Sequence, residues 1–544
     1  MSLITAGYLR DLTDNVAGGL CSGEAVFRRH LSQTATSRPI TGLGSPVKLK
    51  FVVFLAFLGL AAICAADPAD VKPSGTDKAL TTTELVAWLA GGVPNSRLVR
   101  LVSETGLTAS PGKDELRQLQ SAGADQNLLR VLASVTTGSS KTSAQSASAP
   151  IPPALLKAAA AAAQQNYHEA ELQLREALRA DPQSSALHFA LSAMLRQQDQ
   201  WDDAFDEITL SLQLKPNFPE NHSSLSYIFY RLDDGPNAVA EARTALSMDP
   251  ENSEAYQYLG LGFYSSGEYG AAVHAFAQSL LRDPENADSY YDMGIALHAA
   301  GKLPAALAAY EKAIGLRPDF WEAHSNLALT LHEEGKLDQA VAEYRQAKKL
   351  APEQASIRNN LGNTYCDQGN FDAAITELGE LYKQHPEWQE GHGCLASALM
   401  AKKDYAGAVA ELQLALQQNP SGAAEHRVLG QALLLDGKPE EALREFRLSV
   451  SLNPDSDVAH HYLGTVLFEQ QQLQAAEKEF REALRLKPSA DNHFSLAACL
   501  MSLDRYEEAL AELDLAARLD PERTLYRARR EELLKLMKAT NSAR

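Results

Sequence analysis

Apolar and small residues recur along most of this chain in a two-beat pattern. Numbering a 34-residue unit so that a proline falls at position 32, positions 4, 7, 8 and 11 form one stripe at helical spacing. Positions 20, 24 and 27 form a second stripe. The pattern predicts two helices per unit. Position 20 is alanine throughout: Ala170, Ala204, Ala238, Ala272, Ala306, Ala340, Ala374, Ala408, Ala442, Ala476 and Ala509. Position 8 is always small, as in Ser192, Gly260 and Ala328, and position 24 is mostly bulky, as in Phe276, Tyr310 and Phe480. Small residues let two helix backbones approach, and the bulky ones fill what space remains. Gly267, Gly301, Gly335, Gly369 and Gly437 suit the turn between the helices. The prolines Pro182, Pro216, Pro250 and their successors end the second helix every 34 residues, with one 33-residue step to Pro521.

A fixed period of this size marks a solenoid of stacked units rather than a single globular core. The columns resemble the tetratricopeptide repeat (TPR) family over residues 151–523, in eleven repeats. The resemblance implies an all-α fold, an α-solenoid of helix-turn-helix repeats wound into a right-handed superhelix. It also implies a non-catalytic protein whose concave groove holds a peptide or protein. That groove is lined by positions 2, 5, 6, 9, 12 and 13 of the first helices. The groove residues expected to touch a partner are Tyr258, Tyr291, Asp292, Asn326, Asn359, Asn360 and Asn363. Asparagine donates to and accepts from a peptide backbone, so Asn326 and Asn360 resemble a short piece of the family's asparagine ladder. The carboxylate clamp of chaperone-binding relatives does not carry over, because Ala424 and Val428 stand where it needs basic residues.

The formal net charge of −19 argues against a nucleic-acid partner. The basic residues Arg527, Arg529, Arg530, Lys535 and Lys538 fall on an expected capping helix, Thr524–Ala539. Lys48 and Lys50 precede an apolar run, Phe51–Ala66, which is 16 residues long and short for a membrane span of about 20. Residues 47–66 therefore read as a signal peptide cut after Ala66. The chain would be exported, to the periplasm or outside the cell. An uncleaved run would instead anchor it to a membrane, with the repeats outside the cytoplasm. Residues 1–46 read either as a mis-assigned start or as a short cytoplasmic extension.

Residues 79–136 predict a separate module of short helices, and the Ser/Ala/Pro stretch 137–153 a linker. Cys366, Cys394 and Cys499 read as packing or groove residues. A rise of about 9 Å between the first two on parallel helices is too great for a disulfide. Of fourteen histidines, His188, His222, His324, His392, His426, His460 and His493 share position 4 and face inter-helix packing rather than a metal. No phosphate loop, nucleophile elbow or metal motif occurs, so no catalytic residue, metal or cofactor is expected. The function read from these features is a protein-interaction scaffold in the cell envelope. A periplasmic component of a polysaccharide export or secretion apparatus is the alternative, and an enzyme of unknown type the least favoured reading.

Overall fold

The computed structural model describes residues 79–134 and 150–542. Among these the chain forms 27 helices and no strand, only one isolated bridge between Leu80 and Leu107. The signal-peptide and start-site expectations lie outside the described residues, as does most of the linker. Among the described residues no helix is long and apolar enough to cross a membrane.

The chain divides into two compact units between Pro318 and Asp319. The first begins with four short helices, α1 (Thr82–Ala90), α2 (Asn95–Thr105), α3 (Lys113–Ser121) and α4 (Gln126–Ser134). Five helix pairs follow, α5 (Pro153–Ala163) with α6 (Tyr167–Ala180) through α13 (Ala287–Ala299) with α14 (Leu303–Leu316). The second unit holds six pairs, α15 (Trp321–Glu333) with α16 (Leu337–Leu350) through α25 (Ala490–Ser502) with α26 (Tyr506–Leu519). It closes with α27 (Thr524–Ser542).

Each column has a visible cause. All eleven position-20 alanines are fully buried. A Cβ added to Gly294 would lie 2.5 Å from the Tyr310 ring, and one on Gly260 2.6 Å from Phe276, so glycine lets the position-24 ring lie across the first helix. Where position 8 is serine, the hydroxyl is bonded across the pair. Ser192 Oγ donates to the Ala204 carbonyl at 2.8 Å and Ser226 Oγ to that of Ala238 at 2.7 Å. The turn at position 15 is left-handed in every repeat. Its five glycines have φ between 72 and 78°. Gln165, Asp199, Asp233, Lys403, Gln471 and Asp504 hold the same conformation without being glycine.

The N-terminal helices are not the separate unit the sequence suggests. Helices of nine to eleven residues cannot enclose a core of their own, and these share one apolar cluster with the first repeats. Trp88 stacks on Phe218 with centroids 4.7 Å apart, and Lys215 Nζ sits 4.4 Å from the Trp88 ring. Arg97 bonds Glu220 at 2.5 Å and lies 3.4 Å from Asp249, which Arg100 also reaches at 3.1 Å.

At the other end α27 packs on the last repeat. Tyr526 and Leu533 are buried, Tyr526 OH donates to Asp491 at 2.6 Å, and Arg530 pairs with Asp514. One repeat departs from the pattern. Its first helix, α19 (His392–Ala401), starts three residues late behind Gly391, whose φ is 88°.

The second correction concerns the cysteines. Cys366 and Cys394 form a disulfide, with Cα atoms 6.4 Å apart. The sequence argument assumed that neighbouring first helices run side by side in register. They do not: position 12 of one repeat meets position 6 of the next. Arg196 and Ser224 occupy the same two positions and hydrogen-bond at 2.7 Å. Cys499 is buried and free, as expected for a packing residue.

Candidate functional site

The apposition of position 12 with position 6 organises the first-helix face. In the first unit the same stacking of successive first helices brings position 9 onto position 6 and gathers tyrosines. Tyr227 lies 4.9 Å from Tyr258 and 6.1 Å from Tyr230, ring to ring, and Arg196 stacks 4.9 Å from the Tyr227 centroid. Tyr258 itself is buried. Its hydroxyl donates to Glu254 at 2.6 Å and accepts from Arg196 Nη2 at 3.4 Å. Tyr291 is half-buried with its ring 6.1 Å from Tyr310. Asp292 is half-buried and accepts from Gln257 Nε2 at 2.8 Å. The α1–α2 helices cover part of this face one and two repeats earlier, since Gly91 packs on Phe189 and Arg97 on Glu220, both at groove positions.

In the second unit the expected asparagines behave unequally. Asn326 is half-buried, and its carbonyl accepts from Thr330 Oγ1 at 2.8 Å. Asn359 and Asn360 are buried, 3.5 Å apart from Nδ2 to Oδ1. Asn359 lies against Gly391 of the next repeat, where an added Cβ would stand 2.6 Å from its Oδ1. Asn363 is half-buried, and its buried Oδ1 has no hydrogen-bond partner among the described residues. The expectation that positions 5 and 6 face open solvent is thus corrected for Tyr258, Asn359 and Asn360. The cause is the same: successive first helices close over these positions. Sequence reasoning missed Arg196, Tyr227, Tyr230, Gln257 and Tyr264, four of them at positions 9 and 12, which face the next repeat.

His332 is bonded on both ring nitrogens, to Asp367 at 2.7 Å and to Thr364 Oγ1 at 3.2 Å. The trio has the order of an acid–base–nucleophile relay. Thr364, however, is fully buried and donates to the Asn360 carbonyl at 2.7 Å, so its oxygen is not presented to a substrate.

The position-4 histidines do face the helix pair, and they are paired there. Each Nδ1 meets a glutamate 19 residues on: His188–Glu207, His222–Glu241, His324–Glu343, His392–Glu411, His426–Glu445, His460–Glu479 and His493–Glu512, at 2.5–2.6 Å. In four repeats Nε2 lies 3.0–3.2 Å from the preceding repeat's proline carbonyl. Around His188 both partners, the Glu207 carboxylate and the Pro182 carbonyl, are acceptors, so both of its ring nitrogens carry protons. The bond to Glu207, helped by the Pro182 carbonyl against burial, raises His188 above the ordinary histidine range. A raised folded pKa means stability fully present below the ordinary value of about 6.5 and lost as pH climbs through the folded one. Amides of 185–214 should exchange more slowly at pH 6 than at pH 8 after correction for intrinsic rates. His188→Gln should abolish the difference, and equal protection at both pH values would refute the charged pair.

Models of the tetratricopeptide repeat match residues 155–219, 225–287, 259–319, 291–355, 395–457 and 462–523, and a second such model matches 331–398. The chain belongs to the tetratricopeptide repeat family. No curated protein matches it. Among solved structures it is similar to MamA, at 25% identity over 30% of this chain and 97% of that one, with TM-score 0.27. A tetratricopeptide repeat protein from Parabacteroides merdae gives 18% identity over 46% and 98%, with TM-score 0.35. YrrB, described as a TPR protein with an unusual peptide-binding site, gives 23% over 36% and 97%, with TM-score 0.30. Proteins of this family are generally non-catalytic scaffolds, and the TPR array is a protein-interaction scaffold.

Proposed function

We propose that this TPR protein is exported and holds an extended segment of a partner protein against its first helices, as a non-catalytic scaffold in the cell envelope. The observation that carries the reading is that polar groups on this face are left without protein partners. Asn363 Oδ1 is buried and unbonded among the described residues, a state that costs free energy unless something donates to it. Peptide N–H groups would do so. The Cys366–Cys394 disulfide supports export, since such bonds persist in oxidising compartments. The Lys48–Ala66 pattern supports the same route.

The mature chain should then begin near Asp67, and recovery of an intact Met1 end from cytosol would refute export. Asn326→Ala with Asn363→Ala should weaken partner capture, at about 1–3 kcal/mol for each lost bond to a buried peptide backbone. Gln339→Ala with Gln346→Ala, exposed on the second helix, is the control. Glu343 does not serve as a control, because it holds His324 at 2.6 Å. Equal capture by the groove variant and the parent, with loss in the control, would reverse the assignment.

A further inference from the structure

We propose that Asp292 and the tyrosines around it seat the cationic head of one Lys or Arg side chain from the partner's extended segment. The proposal rests on the reading that the first-helix face binds such a segment. Its starting point is a carboxylate without a counter-charge of its own. The one hydrogen bond to Asp292 among the described residues comes from the neutral amide of Gln257, at 2.8 Å. Burial pushes its carboxyl up to about 7, against the Gln257 bond, with Asp288 raising it further and Arg317 lowering it. Arg317 is itself bonded to Asp288 at 2.5 Å.

Two tyrosines feel the charge of this carboxylate. Tyr264 stands at position 12 of the preceding repeat, the place that meets position 6, and Tyr230 at position 12 one repeat earlier. Burial raises both phenols, Tyr264 to about 12, and the charge of Asp292 raises each of them further. Tyr227 adjoins Tyr230 at 6.1 Å. A carboxylate with tyrosines in its electrostatic reach suits a desolvated ammonium or guanidinium, through charge and ring quadrupole together.

The chain already uses the same chemistry on its own behalf. Arg196, at position 12 two repeats before Tyr264, lies over Tyr227 at 4.9 Å, donates to Ser224 at 2.7 Å and reaches Tyr258 OH at 3.4 Å. That end of the tyrosine cluster has its cation; the Asp292 end does not. Arg97 and Arg100 of the N-terminal helices are engaged elsewhere, on Glu220 and Asp249. With a net charge of −19, the chain also favours a basic segment over an acidic one at long range.

The test uses the mature chain and three blocked nonapeptides of Gly, Ser and Ala that differ only at the centre: Lys, norleucine or Glu. Titration calorimetry at pH 6.5 in two buffers of different ionisation enthalpy reads affinity and proton release together. The Lys peptide should bind at least about ten-fold more tightly than norleucine, release protons from Asp292, and shift the ring resonances of Tyr230 and Tyr264. Asp292→Asn, which keeps a group for Gln257 to bond, should remove both the preference and the proton release. Tyr264→Leu should reduce the preference. Norleucine binding as tightly as Lys on the unaltered chain would overturn the cation subsite and leave the groove reading standing. No binding by any of the peptides would overturn both. Free methylammonium binding as tightly as the Lys peptide would make the occupant a small amine and refute a partner side chain.

Discussion

Arg97→Ala is expected to cost the docking of the N-terminal helices about 3–5 kcal/mol, because it strands the buried Glu220 carboxylate and leaves Asp249 with Arg100 alone. Arg97, Glu220 and Asp249 are 11, 4 and 9% exposed at the side chain. Burial already raises the Glu220 carboxyl, with Arg97 opposing, and its Oε2 has no bond among the described residues. Without the guanidinium, nothing compensates the removal of that charge from water. The helices would be released rather than the repeats melted, because coupling in an array is between neighbours. Hydrogen exchange should quicken across 82–105 while the 253–316 amides stay protected. Adding Glu220→Gln and Asp249→Asn to the same chain should recover most of the loss. Unchanged protection of 82–105 in the single variant would show that the apolar contacts around Trp88 suffice.

Breaking the Cys366–Cys394 bridge should cost about 2–4 kcal/mol, concentrated in residues 355–418. The bond closes a loop of 28 residues, between the lengths for which chain-entropy arguments give about 3 and about 4.7 kcal/mol. Cys394→Ser in the oxidised protein, and mild reduction of the parent, should speed exchange in the same segment to a similar extent. Cys499 provides an internal reference. It is buried, its thiol is pushed up to about 11, and it donates to the Leu473 carbonyl. It should label with alkylating reagent only on unfolding, with or without reductant. If unreduced native protein yields alkylated Cys366 and Cys394, the bridge does not exist.

The repeat was legible because its constraints are local. Ala340 meets its own helix pair, Pro352 ends its own helix, and Gly335 turns within one repeat, so each mark recurs at a fixed offset. What the columns could not convey was how one repeat lies on the next. The disulfide, the contact of Asn359 with Gly391 and the pairing of Tyr227 with Tyr258 all depend on which positions meet across a repeat boundary. That apposition follows from the tilt between successive first helices, which no single repeat encodes. The docking of α1–α2 was illegible for a related reason. Trp88 and Arg97 have no periodic partner, and Phe218 and Glu220 lie more than a hundred residues away. The histidine column was read as packing, and its glutamates were overlooked although they recur at position 23 in the same repeats.

That pairing carries a consequence for how such an array is inherited. The polar residue at position 4 and the glutamate at position 23 vary together from repeat to repeat. Seven repeats carry His with Glu, and one carries Arg358 with Glu377 at 3.3 Å. Where position 4 is Tyr256 or Tyr290, position 23 is Ala275 or Ala309. Both halves of each pair therefore lie within one 34-residue cassette, and in four repeats the ring's other partner is the proline carbonyl of the cassette before. Duplication or deletion of a whole repeat therefore leaves neither member of such a pair without the other, so the array can change length in a single genetic event with these pairs intact.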